Sequence, residues 1–307
     1  MSTHASDSHN SRRGAVRDLP KAPSGAIGRS WAFVRKWPVL PVAVLALLIC
    51  CGLFAPLIAP QSAVDPDLVH RNDPPVWMDG GTTTRILGAD NLGRDVLSRT
   101  IYGARVSLLV VSVSLATGYV IGVGLGLVSG YFGGLIDELI MRLVDVWFSI
   151  PFLLLALIVA IVFNPSITVV VGLLALVTWS AFVRNVRAEV LVIKEMDYIR
   201  AARVSGASPT RIIWRHVFPM IVNTTVVIAT LRVGGLVLSE ASLSFLGAGI
   251  PASTPSWGVM IAEGRSYLDS AWWIATIPGI ALFAIVMSMN FLGDWLRDRL
   301  DPRLRQL

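Results

Sequence analysis

Six long apolar stretches limit the fold of this chain more than any other feature of its sequence. A helix needs roughly 20 apolar residues to cross the hydrocarbon core of a bilayer, where its backbone must satisfy its own hydrogen bonds. Charged residues make up only 15% of the 307 residues, whereas a soluble domain carries about 25%. The sequence therefore predicts an all-α membrane protein with six transmembrane helices, at Pro38–Ala59, Ala104–Ser129, Ile140–Phe163, Ser166–Val183, Val217–Ser239 and Trp273–Leu292.

The third stretch has a charged beginning, which contains Arg142 and Asp145. We expect these residues on a short interfacial helix that leads into the membrane at Pro151, because charges are costly in the hydrocarbon core. The Asn164-Pro165 pair that follows is typical of a tight turn. It predicts a direct connection between the third and fourth spans.

The uneven distribution of basic residues predicts the orientation of the chain. Nineteen of the 26 lysines and arginines fall on one side, in the N-terminal tail, the loops after the second and fourth spans, and the C-terminus. Five fall on the other side, and Arg105 and Arg232 lie in or at spans. Since basic loops stay in the cytoplasm, both termini and the loop after the fourth span are predicted to be cytoplasmic. The net charge of +6 thus has a topological cause and predicts no nucleic-acid partner.

The basic loop between the fourth and fifth spans has a helix–break–helix pattern. Asp197 is a candidate N-cap of a first short helix, and Gly206 suits the left-handed position after its end. Ser208 and Pro209 predict the cap and the first residue of a second helix. One narrow face of the first helix carries mostly small residues, namely Tyr198, Ala201, Ala202 and Ser205.

A short helix with small residues and flanking arginines fits two roles. It suits insertion into a groove on another protein. It equally suits an interfacial helix that lies on anionic lipid. The residues alone leave both roles open.

The same loop resembles a known motif. Ala201-Ala202, three further residues, Gly206 and the later Pro219 resemble the "EAA" loop of permease subunits in binding-protein-dependent ABC importers. In that family the loop holds the coupling helix that docks on the ATPase subunit. Two positions depart from the pattern, because Arg200 stands where glutamate is usual and His216 where isoleucine is usual. The resemblance implies an ATPase-coupling site formed by Tyr198, Arg200, Ala201, Ala202, Arg203, Gly206 and Ala207.

Three further blocks strengthen this resemblance. Ile86–Leu108, Leu238–Ile261 and Leu292–Arg305 are similar to segments of the C-type permeases in the dipeptide/oligopeptide/nickel group, and they occur in the same order. The resemblance implies a type I ABC importer permease fold (MetI-like) in a prokaryotic cell membrane. It implies half of a translocation pathway for peptides, with nickel chelates or other small solutes as the alternative.

The same resemblance implies partners and a division of the chain. The expected partners are a homologous permease subunit in a heterodimer, two cytoplasmic ABC ATPase subunits and an extracytoplasmic solute-binding protein, besides membrane lipid. Residues 1–37 are expected to be a disordered cytoplasmic tail, since they are rich in Ser and Arg. Residues 38–103 would hold the first span and an external loop. Residues 104–293 would form the core permease domain, with a coupling loop at 184–216, before a cytoplasmic tail at 294–307.

The sequence predicts no catalytic, cofactor-binding or metal-binding residues on this chain. None of its three lysines lies in the Gly-Lys-Ser/Thr context of a nucleotide-binding P-loop. ATP and magnesium would therefore bind the partner ATPase subunits. Two rival classes are an ion-gradient-driven secondary transporter, which often shows inverted repeats, and an intramembrane enzyme, which needs paired catalytic residues within its spans.

Two charged residues in or near the fifth span are candidate pathway residues. Arg232 and Glu240 are eight positions apart, so we expect them to share a helix face. An ionisable residue within a span usually faces the bundle or a water-filled cavity. They are predicted to line the pathway, with the external membrane interface as the alternative position for Glu240.

Two external features and one glycine pattern have structural interpretations. Arg94, Asp95, Ser98 and Arg99 predict the polar side of an amphipathic helix on the external membrane surface. Trp257 is a candidate anchor at the membrane–water interface. The four-residue spacing of glycines in the second span predicts close helix packing, at Gly118, Gly122 and Gly126.

Overall fold

The computed structural model describes residues 38–300, which form helices joined by turns and loops. Within this range the only strand-like pairing is an isolated bridge between Ala89 and Asp95, so the all-α prediction is confirmed. The helices are α1 (Val39–Leu53), α2 (Ala55–Ile58), α3 (Val96–Phe132), α4 (Gly134–Ser149), α5 (Phe152–Phe163), α6 (Ile167–Ile193), α7 (Asp197–Val204), α8 (Pro209–Ile212), α9 (Phe218–Phe245), α10 (Trp257–Gly264) and α11 (Trp273–Leu300). The tail at 1–37 and residues 301–307 lie outside the described range.

Four helical segments are long and apolar enough to cross a membrane. They are α3, α6, α11 and the continuous run of 37 residues from α8 to α9. The helices α4 and α5 meet at an angle of 84° around Ile150 and Pro151, as the sequence predicted, and together correspond to the third span. The first span corresponds to α1, whose 15 residues extend about 22 Å. The structure is thus compatible with the predicted six spans.

Helix α3 begins earlier than the sequence suggested. We expected a separate amphipathic helix on the membrane surface before the second span, but Val96 to Tyr102 are the first turns of a continuous 37-residue helix. That length is about 55 Å, which exceeds the hydrocarbon core, so part of α3 extends beyond it. The position between residues 103 and 104, where we divided the chain, lies within this helix.

The glycines of α3 allow it to pack closely along α6. A Cβ atom added at Gly118 would lie 2.5 Å from the Thr178 Cβ, and one added at Gly126 would lie 2.8 Å from the Val186 Cβ. Real Cβ atoms do not approach other atoms so closely, so larger residues at these positions would push the helices apart. The packing prediction is confirmed, and the partner helix belongs to the same chain.

The short helix α4 lies between two sharp changes of chain direction. Gly133 and Gly134 have φ values of +66° and +58°, a region that glycine adopts easily. At the other end, the chain turns at Pro151 into α5, which ends at Asn164 with φ +60°. The expected tight turn before α6 is therefore present.

Candidate functional site

The predicted coupling helix is α7, and its beginning differs from our expectation. Asp197 is the first helical residue rather than the N-cap, so its predicted capping role is wrong. Met196 occupies the cap position in an extended conformation, and its carbonyl accepts hydrogen bonds from the amides of Ile199 and Arg200 at 3.0 and 3.2 Å. In the first turn, the Asp197 carboxylate instead favours the positive end of the helix dipole.

The end of α7 follows the prediction closely. Gly206 has φ +78°, in the left-handed region. Its amide donates to the Arg203 carbonyl at 3.0 Å, and the Ala207 amide donates to the Ala202 carbonyl at 3.1 Å. These two bonds form a Schellman motif, which satisfies the last carbonyls of the helix and reverses the chain.

The second helix of the loop also begins as predicted. The Ser208 hydroxyl accepts a hydrogen bond from the Arg211 amide at 3.4 Å, and Pro209 is the first helical residue. The chain then passes through a π-helical turn, Ile213–Val217, into α9. Pro219 accounts for this turn, because it has no amide to donate and cannot continue the regular bonding pattern. The loop is thus continuous with the fifth span.

One side of α7 packs against the rest of the chain. Ile199 is completely buried in an apolar cluster with Ile193 and Ile212. Ala202 and Ala207 are half-buried against the same cluster. The predicted face of small residues is therefore divided, since Ala202 faces inward whereas the rest of that face is exposed.

The other side of α7 faces away from the chain and includes a residue that we did not predict. Val204 is 91% exposed, next to the exposed residues Ala201 and Ser205. The exposed Arg200 bonds to Glu195 at 3.2 Å, and the Arg203 guanidinium lies 5.5 Å from the centre of the Tyr131 ring. Burial of Ile199 sets this orientation, because Val204 lies nearly opposite on the helix. The sequence carried this signal, since Ile199 is the largest aliphatic residue of the segment.

Polar contacts fix the base of α7 to α3, α4 and α6. The Lys194 ammonium donates to the Gly130 carbonyl at 2.8 Å. Arg187 on α6 forms an ion pair with Asp137 on α4, with its Nη2 2.6 Å from Oδ2. These contacts join α3, α4 and α6 close to the residue where α7 begins.

The two candidate pathway residues lie in different environments. Glu240 is completely buried, and its carboxylate accepts hydrogen bonds from the hydroxyls of Ser107 at 3.0 Å and Ser244 at 2.9 Å. It therefore connects α9 to α3 inside the bundle. Arg232 is exposed on α9, so the two residues do not share an open face.

A buried ionic cluster lies at the N-terminal end of α3. Arg94 donates to Asp90 at 2.7 Å and to Glu263 at 2.9 Å, whereas Arg99 donates to the same Glu263 oxygen at 2.8 Å and also contacts Asp90. The polar side that we expected on the membrane surface is therefore enclosed by protein. Asp95 caps α3 by accepting from the Ser98 amide at 2.8 Å. Sequence reasoning missed Glu263, because nothing in the pattern places position 263 beside position 94. It also missed Asp90, which lies only four positions before Arg94.

The loop before α3 contains a more exposed ion pair. Arg85 donates to the Asp67 carboxylate at 2.9 Å. This hydrogen bond is the main reason why the pKa of Asp67 lies below its ordinary value. The pair helps to order the chain that approaches the ionic cluster.

Trp257, at the start of α10, is completely buried, so the prediction of an interfacial anchor is wrong. Its indole Nε1 donates to the Thr100 carbonyl on α3 at 3.0 Å. A Cβ atom at Gly103 would lie 2.8 Å from the same indole ring. The segment after α9 is therefore fastened to α3 by a buried aromatic side chain.

Comparison with protein families gives one decisive match. Residues 122–306 match the model of the binding-protein-dependent transport system inner membrane component, a region that contains α7, α9 and α11. The chain belongs to this family. The resemblance to ABC importer permeases is confirmed, and the protein is a multi-pass membrane permease.

Three curated relatives illustrate the similarity. The dipeptide transport system permease protein DppC of Escherichia coli K12 is 40% identical over 286 residues, which cover 92% of this chain and 95% of that protein. The di/tripeptide permease protein DppC of Pseudomonas aeruginosa is 39% identical, covering 85% of this chain and 86% of that protein. The glutathione permease protein GsiD of Pectobacterium atrosepticum is 37% identical, covering 97% and 99%.

A solved structure shares the fold of the permease. A chain of the inward-facing MetNI methionine ABC transporter superposes with a TM-score of 0.53 and 20% sequence identity, covering 66% of this chain and 96% of that chain. The predicted MetI-like fold is therefore confirmed.

Proposed function

We propose that this permease forms half of the translocation pathway of an ATP-driven importer for di- and oligopeptides. An extracytoplasmic solute-binding protein would deliver the solute. The names of the relatives support this choice, since dipeptides, tripeptides and glutathione are all short peptides. They favour peptides over the nickel chelates that we kept as the alternative.

The outward face of α7 is the observation that carries this proposal. A helix with Val204 exposed at 91% has an apolar tip, which suits a groove on another protein better than water. Tyr198, Arg200, Ala201 and Ser205 lie exposed around this tip, and their mixed chemistry matches a polar rim around an apolar contact. We therefore assign the docking of an ABC ATPase subunit to α7.

Coupling follows from how α7 is attached. Its inner side is fixed by Ile199, and its base is fixed by Lys194 and by the Arg187–Asp137 ion pair. A movement of the ATPase would therefore displace α3, α4 and α6 as a group. Rigid-body rocking of two such bundles would open the pathway alternately to each side.

The proposal assigns ATP hydrolysis to other chains. ATP and magnesium would bind two cytoplasmic ATPase subunits, one beneath this permease and one beneath a homologous permease partner. The membrane would be the cell or inner membrane of a prokaryote, with both termini in the cytoplasm. Family membership supports this arrangement over the secondary transporter and the intramembrane enzyme, because the matched family is defined by binding-protein-dependent transport.

Reconstitution tests the proposal directly. Proteoliposomes with the permease, its sister permease and the ATPases should take up a labelled dipeptide only with internal ATP and loaded external binding protein. Uptake should persist when an ionophore removes ion gradients. Uptake that follows an ion gradient without ATP would contradict the proposal.

Cross-linking tests the docking surface. Both native cysteines would first be replaced by Cys50→Ala and Cys51→Ala, since Cys50 is exposed. Val204→Cys should then cross-link to a cysteine in the ATPase groove, whereas Ile199→Cys should not, because Ile199 is buried. Cross-linking of Val204→Cys to lipid reagents alone would contradict the docking assignment.

A further inference from the structure

Arg232 has an unusual position in the permease. It is close to the middle of α9, a helix of 28 residues, and lies about 20 Å from either end. Its side chain is exposed, and it makes no hydrogen bond or ion pair with another residue in the range 38–300. A guanidinium remains charged under all ordinary conditions. At this depth it requires water or an anion, because hydrocarbon solvates a charge poorly.

The surface of α9 around Arg232 differs from a lipid-facing surface. Six residues of α9 that are at least partly exposed recur at the helical period and form one stripe. They are Thr224, Ile228, Arg232, Gly235, Ser239 and Ser242. Four of the six are polar, and a Cβ atom at Gly235 would meet no atom within 4 Å. A surface of hydroxyls, glycine and a cation suits a water-filled path beside the partner permease.

Glu240 and Glu189 already accept hydrogen bonds from other side chains. The Glu240 carboxylate binds two serine hydroxyls, as described above. Glu189 on α6 accepts from the Thr224 hydroxyl at 2.8 Å, at the cytoplasmic end of the same stripe. Neither carboxylate is bonded to Arg232, so within the described residues its charge is uncompensated.

We propose that Arg232 is a charge-selective residue of the translocation path, which favours solutes with a free carboxylate side chain over solutes with a cationic one. The inference rests on the proposed function. A fixed cation in a narrow, partly desolvated path attracts an anionic solute and raises an electrostatic barrier against a cation. The guanidinium can also donate two parallel hydrogen bonds to a passing carboxylate.

The test compares three dipeptides that differ in side-chain charge. Alanyl-glutamate, alanyl-glutamine and alanyl-lysine would each be loaded on the binding protein at saturating concentration, so that the uptake rate reports the steps after docking. The wild-type complex should transport them in the order acidic, neutral, basic. Arg232→Gln should lower the acidic-to-basic ratio about tenfold, the effect expected for one charge-assisted hydrogen bond. Arg232→Glu should reverse the order.

Two further variants separate charge from other effects. Arg232→Lys keeps the charge, so it should retain the preference. Arg105→Gln removes an exposed arginine from α3 and should leave the ratio unchanged. An unaltered ratio in Arg232→Glu, with normal stimulation of ATP hydrolysis, would overturn the inference.

Purification of the complex tests the other role for Arg232, which is an ion pair with the sister permease. If Arg232→Gln, but not Arg232→Lys, loses the sister permease on purification, the arginine pairs with a carboxylate of that subunit and the inference is wrong. A wild-type complex that takes up none of the three dipeptides would instead contradict the proposed function itself.

Discussion

The Ala207 amide donates to the Ala202 carbonyl at 3.1 Å, and this bond closes the turn at the tip of the proposed coupling helix. The intervening Gly206 has φ +78°, a conformation that other residues adopt at a cost. The turn that directly follows Val204 therefore depends on the backbone conformation of Gly206. This relationship yields the first prediction.

Gly206→Val should weaken coupling while leaving the helical bundle intact. A β-branched residue in the left-handed region costs roughly 1–2 kcal/mol, which the exposed turn can avoid only by changing its path. We expect lower ATP hydrolysis in response to loaded binding protein, at unchanged permease content in the membrane. Gly206→Asn is the matched control, because asparagine tolerates this conformation. Equal activity of the two variants would contradict the prediction.

Two aliphatic residues of α7 should respond in opposite ways. Ile199→Ala removes a fully buried side chain and should lower the free energy of unfolding by about 2–4 kcal/mol. Val204→Asp alters a side chain that is 91% exposed, so thermal stability in detergent should barely change. Co-purification of the ATPase should nevertheless be lost in Val204→Asp, because a charge enters the contact. Retention of the ATPase by that variant would place the docking surface elsewhere.

The ionic cluster at the N-terminal end of α3 predicts an order of stability among charge-removing variants. The Asp90 side chain is fully buried and accepts from both Arg94 and Arg99, whereas that of Glu263 is 19% exposed. Removing one partner of a buried ion pair costs about 3–5 kcal/mol, and water reduces this cost at exposed positions. Asp90→Asn should therefore lower the thermal midpoint more than Glu263→Gln. The reverse order would show that burial does not determine how much stability the cluster loses with each carboxylate.

Two substitutions of Trp257 should separate the contribution of its packing to stability from that of its hydrogen bond. Trp257→Ala should destabilise the segment after α9 by about 3–5 kcal/mol, since it empties a fully buried site. Trp257→Phe keeps most of the apolar volume but removes the indole donor to the Thr100 carbonyl, at a cost of about 0.5–1.5 kcal/mol. Thermal unfolding in detergent measures both. An interfacial anchor would instead tolerate phenylalanine without loss.

The sequence predicted the features that depend on local chemistry. Hydropathy located the long apolar helices α3, α6, α9 and α11, Pro151 located the break between α4 and α5, and Gly206 located the end of α7. The sequence did not predict the environment of a side chain where that environment is formed by distant segments. Tryptophan is typical of an interfacial anchor, but Trp257 is enclosed by contacts with Thr100 and Gly103 of α3.

Charged residues show the same limit at the candidate site. Arg232 and Glu240 are equivalent in a hydropathy profile, yet hydroxyls from α3 and α9 enclose only the second. Helical spacing indicated a shared direction, but burial depends on which neighbouring helix lies there. The outward position of Val204 was accessible from the sequence, because Ile199 had to be buried. Grouping the small residues of α7 as one face overlooks this signal.

The contact between α3 and α6 gives the last prediction, in which two glycines of one helix should behave differently. A Cβ atom at Gly122 would lie 2.6 Å from the Phe182 Cβ and would also overlap the Trp179 carbonyl oxygen, which belongs to the backbone and cannot rotate away. A Cβ atom at Gly124 would meet nothing within 4 Å. Gly122→Ala should therefore separate the helices and cost about 1–3 kcal/mol, as overpacking does.

Gly124→Ala is the matched control in the same helix. It should leave the thermal midpoint unchanged or raise it, because alanine is favoured over glycine within a helix by up to about 1 kcal/mol. Thermal unfolding of both variants in one detergent provides the comparison, with uptake measured in parallel. If Gly122→Ala were as stable as Gly124→Ala, the close approach of α3 to Trp179 and Phe182 would not exist in the folded permease.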